Sequence, residues 1–225
     1  LSTRANLRNE WEELRCDIAN NSSIELAFLS NNLLKYFAVS GNKKLNKISG
    51  KTIINAFKKL FNNKEIKKLI EETTIYKLKL EKEWDDNYEE TRDIIKEITK
   101  IEIPDVEIKV FVVHPELRGG HSFPKYKKIV WGHKSDWPYY NIVYLWHEIF
   151  HCLTYGKYKN KGLTHALIEL VNDNELRARL NKEKNDGETG HLGLKELRMK
   201  ILPDFKKFIK DKKIDLFIFE KQLIK

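Results

Sequence analysis

Residues 147–151, H-E-I-F-H, place two histidines and a glutamate at a spacing that suits metal chemistry. His147 and His151 lie four residues apart, so on a helix both imidazoles project from one face and can bind one ion. Glu148 lies beside them, where it can take a proton from water as that water attacks a carbonyl group. In a chain of 225 residues with 7 histidines, the pattern H-E-x-x-H is expected to occur by chance only about 0.02 times. The motif therefore predicts a zinc-dependent hydrolase with one Zn²⁺ per chain.

A catalytic zinc site needs a third protein ligand and leaves its fourth position to water. Thr154 and Lys157 stand where a metzincin has a glycine and a third histidine, which excludes that arrangement. Glu169 and Glu175 are the glutamates that follow on the next predicted helix. If the two helices are antiparallel, the height of Glu169 matches that of His151 within a few Å, whereas Glu175 lies about 9 Å further along. We therefore expect Glu169 as the third ligand and keep Glu175 as the alternative.

The helix that carries Glu169 reads E-L-V-N-D from 169 to 173. H-E-x-x-H followed by E-x-x-x-D resembles the gluzincin class of zinc peptidases, in particular its thermolysin-like members, and the resemblance covers residues 127–173. In that class the glutamate binds zinc and the aspartate hydrogen-bonds a ligand histidine, so the resemblance implies a supporting role for Asp173. A carboxylate behind an imidazole fixes its tautomer, which makes this role physically reasonable. The resemblance implies a zincin-like fold and a peptide or protein substrate.

The same class places an extended edge strand above the active-site helix. Residues 127–132 occupy the corresponding place in the order of elements. The resemblance therefore implies that a peptide substrate binds by adding a strand beside them.

Enzymes of this type usually add a histidine or tyrosine that stabilises the developing oxyanion. His191 lies between Gly190 and Gly193 on a predicted loop, and Tyr155 lies near the end of the motif helix. We expect His191 to take this role ahead of Tyr155. His165 lies one turn before Glu169 and can reach the site, but its place at a polar helix start explains it sufficiently, and it receives no role.

The helix that carries the motif has apolar residues nearly all round it, including Trp146 and Phe150. Such a helix is expected to be central and buried. Three polar side chains at its centre are tolerated only if something such as a metal ion compensates their desolvation. We expect Ser135 or Asp136 to cap its start and Gly156 to end it.

The chain is predicted to be an α+β protein, mainly helical, with two lobes. Residues 1–102 show helical periodicity without proline and are expected to form a helical N-terminal lobe. Residues 103–225 are expected to form a zincin-like catalytic lobe with a small sheet and an active-site helix. The predicted strands are 106–113 and 127–132, separated by a turn at Gly119-Gly120. The other predicted helices are 64–83 or beyond, 164–180, 194–211 and 214–225. Pro203 is expected to interrupt the helical segment in which it lies.

The net charge of +9 invites a nucleic-acid hypothesis. Lysines outnumber arginines 34 to 8 and are spread along the chain, which favours solvated faces over a phosphate-binding patch. No apolar run approaches the ~18 residues of a membrane span, so no membrane partner is expected. The N-terminal residues lack the apolar core of a signal peptide, and Cys16 and Cys152 form no disulfide pattern, so a cytoplasmic location is expected.

The sequence is also compatible with two other functions. The first is a nonproteolytic zinc-containing regulatory protein, in which the basic helical lobe binds nucleic acid or a protein partner. The second is a hydrolase of another substrate, because H-E-x-x-H also occurs in deformylases. Deformylases take a thiolate ligand from an upstream loop, and Cys16, inside a predicted helix, suits this role poorly.

Overall fold

The computed structural model describes residues 64–157, 160–211 and 213–224. The predictions for the first 63 residues, Cys16 included, lie outside the described residues, so the two-lobe division stays a prediction. None of the helices in the described ranges is long and apolar enough to cross a membrane.

Helices dominate the described residues, and a small sheet accompanies them, which confirms the mainly helical α+β class. One helix of 36 residues precedes the sheet, and the others follow it. The helices are α1 (Lys64–Thr99), α2 (Tyr140–Thr154), α3 (Lys161–Glu169), α4 (Arg177–Asn181), α5 (Lys195–Lys210) and α6 (Leu216–Leu223). The strands are β1 (Lys109–Val112), β2 (Gly119–Phe123) and β3 (Lys128–Gly132).

The strands form one mixed sheet in the order β1-β3-β2. The backbone N–H of Lys109 donates to the carbonyl of Lys127 (3.0 Å), and that of Val113 donates to Trp131 (2.8 Å). Residue numbers increase in the same direction along both strands from the first bond to the second, so β1 and β3 run parallel.

The sheet order corrects one expectation about peptide binding. Residues 128–132 form the central strand of the described sheet, so the prediction of an edge strand there is wrong. The second neighbour of β3 is β2, a strand that was not predicted. Its sequence G-G-H-S-F begins with the two glycines at which only a turn was predicted. Glycine is a weak strand former, so periodicity gave little sign of this strand. β2 is an edge strand of the described sheet, and its Ser122 hydrogen-bonds the motif residue Glu148.

The described residues divide into two compact units. The first contains residues 64–78, Val110–Gly119 and Val130–Lys134. Within it, Nε2 of His114 lies 3.1 Å from a carboxylate oxygen of Glu72. The second unit contains Lys79–Lys109, Gly120–Ile129 and the described residues from Ser135 onward, and it holds every residue of the predicted site within the described ranges.

Helix α2 is buried in the second unit, as its apolar sequence predicts. Trp146 is 1% exposed, and its ring centroid lies 5.4 Å from that of Trp84 and 6.0 Å from that of Tyr88. Its Nε1 donates a hydrogen bond of 2.9 Å to the hydroxyl of Thr91 on α1. This packing fixes the motif helix against α1.

The start of α2 differs from the prediction. Ser135 and Asp136 do not cap it: the residue before the helix is Tyr139, whose φ of 63° is left-handed. The hydroxyl of Ser135 instead accepts a hydrogen bond of 2.8 Å from the side chain of Asn141. A left-handed residue at a helix start has no simple signature in the sequence, which explains the error.

The predicted helix 164–180 is present but not uniform. Its first part is α3, which begins after Asn160, whose side chain accepts a hydrogen bond from the Leu163 N–H (3.1 Å). A π-helical segment (Leu170–Leu176) follows and leads into α4. Segments of this kind occur frequently at functional sites. Pro203 lies within α5, which continues past it, so the predicted interruption is wrong.

Candidate metal centre

His147 and His151 face each other on α2. Their Nε2 atoms are 3.2 Å apart, His147 is buried and His151 is partly buried. Two nitrogen ligands of a tetrahedral zinc ion, each at ~2.0–2.1 Å from the metal, lie about 3.3 Å from one another. The helix therefore brings these nitrogens to the separation that one ion requires.

Asp173, in the π-helical segment, holds the other side of the His147 ring. Its Oδ1 lies 2.8 Å from Nδ1 of His147, and its side chain is fully buried. Burial lowers the pKa of His147, but Asp173, together with Glu148 and Glu169, outweighs this effect and raises that pKa to about 9. With Nδ1 bound to Asp173, only Nε2 remains for an ion.

His165, on α3, completes a group of three imidazoles. Its ring centroid lies 4.6 Å from that of His151 and 5.3 Å from that of His147. One nitrogen from each of the three rings lies within 4.8 Å of the other two. Burial lowers the pKa of His165 to about 4 and that of His151 to about 3, which keeps both rings in the neutral form that binds metals.

Nitrogen donors of this kind suit Zn²⁺, which is commonly bound by imidazole in proteins. The Nε2 atom of His165 is buried and has no hydrogen-bond partner in the described part of the chain. A metal ion would satisfy this nitrogen, so the residues present fit a zinc ion.

Glu169, the predicted third ligand, is completely buried but does not join the three imidazoles in one group. One oxygen accepts the backbone N–H of His191 (2.9 Å) and lies 2.5 Å from Nδ1 of that residue. The other oxygen accepts a hydrogen bond from the guanidinium of Arg198. Burial raises the pKa of Glu169, but His191 and Arg198 together hold it below its ordinary value. Its nearest metal-binding partners are His165 and His191, the second possible ligand group among the described residues.

His191 lies at the open side of this cluster. Its side chain is 65% exposed, and its ring centroid lies 4.8 Å from that of His165 and 6.1 Å from that of His147. The hydrogen bond with Glu169 raises its pKa. The structure thus places the predicted oxyanion residue beside the cluster rather than within its buried centre.

Glu148 is partly buried beside His147 and receives hydrogen bonds from Ser122 of β2. Burial raises the pKa of Glu148, while His147 and Ser122 act in the opposite direction without reversing the shift. A carboxylate with a raised pKa is better suited to accept a proton near neutral pH.

Glu175 and Tyr155 belong to neither group of possible metal ligands among the described residues. The Glu175 carboxylate accepts hydrogen bonds from Arg179 (2.9 Å) and Asn185 (2.7 Å). Tyr155 lies at the end of α2 and is 57% exposed.

Sequence reasoning left three residues of the site without a role: His165, Arg198 and Ser122. A signal existed for His165, because residues 165 and 169 are four apart and therefore share one helix face. Arg198 and Ser122 reach the site only through tertiary packing, and no spacing in the sequence marks them.

Comparison with known proteins adds no assignment to this geometry. No protein-family model, curated protein or solved structure matches the chain. The resemblance to gluzincins is therefore carried by the motif residues alone.

Proposed function

We propose that this chain is a zinc-dependent hydrolase with a zincin-like catalytic site, and that its substrate is a peptide or protein. The observation that carries the proposal is the 3.2 Å separation of the His147 and His151 Nε2 atoms, with Glu148 beside them on α2. A bound zinc ion would polarise a carbonyl group and lower the pKa of a water molecule.

In this proposal the third ligand comes from α3, which carries both His165 and Glu169. The gluzincin resemblance assigns the role to Glu169. Asp173 keeps His147 in one orientation, since its carboxylate holds the Nδ1 side of the ring.

Glu148 acts as the general base. Its raised pKa and its place next to the paired nitrogens suit a group that removes a proton from attacking water. Ser122 orients the carboxylate by hydrogen bonding. His191, exposed at the open side, is proposed to donate a hydrogen bond to the developing oxyanion.

The edge strand β2 supports a peptide substrate. It lies at one side of the described sheet, and Ser122 in this strand contacts the proposed base. A peptide that added to β2 as a further strand would therefore bring its backbone carbonyls near Glu148. We also propose that the protein acts in the cytoplasm.

Zinc analysis and peptide cleavage test this function together. The purified protein should contain about one zinc per chain and cleave members of a mixed peptide library. Glu148→Gln should keep the zinc and lose roughly 10²–10⁴-fold in rate. Glu89→Gln, an exposed glutamate on α1, is the matched control and should keep full activity. The Glu175→Ala variant should also contain about one zinc per chain, because Glu175 belongs to neither possible ligand group.

Absence of zinc after reconstitution, or equal rates for the parent and Glu148→Gln, would overturn the proposal. Zinc without cleavage, together with salt-dependent binding of nucleic acid, would instead support a nonproteolytic zinc protein. His191→Ala should lower the rate ~10²–10³-fold with unchanged zinc content, and full activity in this variant would remove His191 from the mechanism.

A further inference from the structure

We infer that His165, rather than Glu169, supplies the third metal ligand, and that Arg198 holds Glu169 in a supporting position beside the metal site. The inference rests on the proposed zinc site and specifies its ligands. It departs from the glutamate ligand that the motif resemblance implies.

The His165 ring is partly buried in a way that favours a bound metal ion. Its Nε2 atom is buried and has no hydrogen-bond partner among the described residues, and the nearest Glu169 oxygen lies 3.6 Å away, too far for a hydrogen bond. A buried polar nitrogen without a partner is unfavourable unless another group satisfies it. One ring nitrogen of His165 lies within 4.8 Å of a ring nitrogen of His147 and of one of His151, so a metal ion bound by the three imidazoles would compensate the burial of this ring.

Both carboxylate oxygens of Glu169 already accept hydrogen bonds. Arg198 donates to one oxygen, and the backbone N–H of His191 donates to the other. The side chains of Glu169 and Arg198 are both fully buried. If Glu169 turned to bind the metal through its Arg198-bound oxygen, a buried guanidinium would lose its counterion, which is strongly unfavourable.

The loop before α5 packs around the ion pair of Glu169 and Arg198. Arg198 also donates to the carbonyls of Gly187 (3.1 Å) and His191 (2.9 Å). Gly190 has a φ of 132°, and a Cβ there would lie 2.8 Å from both the Arg198 guanidinium and the Glu169 carboxylate. The pair therefore fixes the path of residues 187–191 and, with it, the place of His191.

The resulting site has three imidazole ligands, with one coordination position left for water. Glu169 is an outer carboxylate that contacts His191, and Arg198 is a positioning residue that acts through Glu169 and the loop. Neither Glu169 nor Arg198 touches the ion in this arrangement.

X-ray absorption at the zinc edge of the wild-type protein tests the ligand set without any substitution. Multiple scattering from imidazole rings counts the histidine ligands, and we expect three. A count of two, together with a carboxylate oxygen, would overturn the inference and leave the hydrolase proposal intact. Absence of bound zinc would overturn both.

Two matched variants provide an independent measurement by competition with a chelator. His165→Ala should fail to hold zinc at stoichiometric concentration. Glu169→Gln keeps the shape of the side chain and can still accept from Arg198, so it should retain one zinc with an affinity reduced no more than ~100-fold. The reverse pattern, retention in His165→Ala and loss in Glu169→Gln, would assign the ligand to Glu169.

Arg198 is tested by comparing two replacements. Arg198→Met should weaken zinc binding ~10–100-fold because Glu169 and the loop lose their anchor. Arg198→Lys keeps the charge and should restore part of this affinity. Equal zinc affinity in Arg198→Met and the parent would exclude the positioning role, whatever the thermal stability of the variant.

Discussion

Nδ1 of His147 lies 2.8 Å from Oδ1 of Asp173, and both side chains are buried almost completely. The contact joins α2 to the π-helical segment that follows Glu169. It leaves the Nε2 atom of His147 facing His151, so one ring connects a buried carboxylate to the proposed metal position. The other oxygen of Asp173 is buried without a hydrogen-bond partner in the described residues, which makes the contact with His147 its principal compensation.

We predict that Asp173→Asn lowers zinc affinity ~10–100-fold, because the amide keeps the shape but loses the charge that orients and polarises His147. Competition with a chelator of known affinity measures the change. Asp204→Asn is the matched control, since Asp204 is 55% exposed and pairs only with Lys207 among the residues that the structure describes. Equal affinities of the parent and Asp173→Asn would contradict the role of this contact.

Gly190→Ala should disturb the loop that carries His191. A Cβ at this position would lie 2.8 Å from Glu169 and Arg198, and the φ of 132° is rare for a residue with a side chain. We expect a loss of about 1–3 kcal/mol in the free energy of unfolding, measured by chemical denaturation.

Gly193→Ala serves as the control for this substitution. A Cβ at Gly193 meets no atom within 4 Å. The variant should therefore change the free energy of unfolding by less than about 0.5 kcal/mol. If both variants were equally stable, the close approach at Gly190 would not constrain the loop.

Local patterns predicted the presence of the motif helix and its buried position, but not the residue at which it begins. Residues four apart share a helix face whatever the rest of the fold does, so the facing of His147 and His151 follows from spacing alone. The burial of α2 follows in the same way from apolar residues such as Trp146 on nearly every side. Helical patterns also located the start of α1 and both ends of α5 to within a few residues.

Features that depend on contacts between distant segments could not be predicted. Arg198 lies 29 residues after Glu169, and nothing in its own neighbourhood distinguishes it from the other arginines. The strand β2 was missed because its pairing with β3, not its glycine-rich sequence, makes it a strand. His165 had a helical spacing to Glu169, but its proximity to His151 required the packing of α3 on α2.

The hydrogen bond between Trp146 and Thr91 offers a test of the packing that supports the motif helix. The Thr91 hydroxyl accepts from Trp146 Nε1 (2.9 Å) and donates to the carbonyl of Asn87 (2.7 Å). Thr91→Val would leave the buried indole N–H without its acceptor. We expect the free energy of unfolding to fall by about 1–3 kcal/mol, measured by urea denaturation.

Thr74→Val on the same helix isolates this effect. The Thr74 hydroxyl makes the same type of bond, to the carbonyl of Ile70 (2.8 Å), but it is exposed. Its replacement should change the free energy of unfolding by less than about 0.5 kcal/mol. A loss of similar size in both variants would attribute the effect to helix propensity rather than to the indole contact.

Removal of the metal should destabilise the protein, because His147 and the unpartnered Nε2 of His165 are buried and the proposed ion would satisfy their nitrogens. An ion that binds the folded chain alone, at a free concentration 1,000 times its dissociation constant, stabilises by about 4.1 kcal/mol. Thermal unfolding with a chelator and then with restored zinc measures this shift. Glu148→Gln should respond as the parent does, since it keeps every proposed ligand, whereas His151→Ala should show no shift. An identical response of His151→Ala and the parent would place the bound zinc elsewhere in the chain.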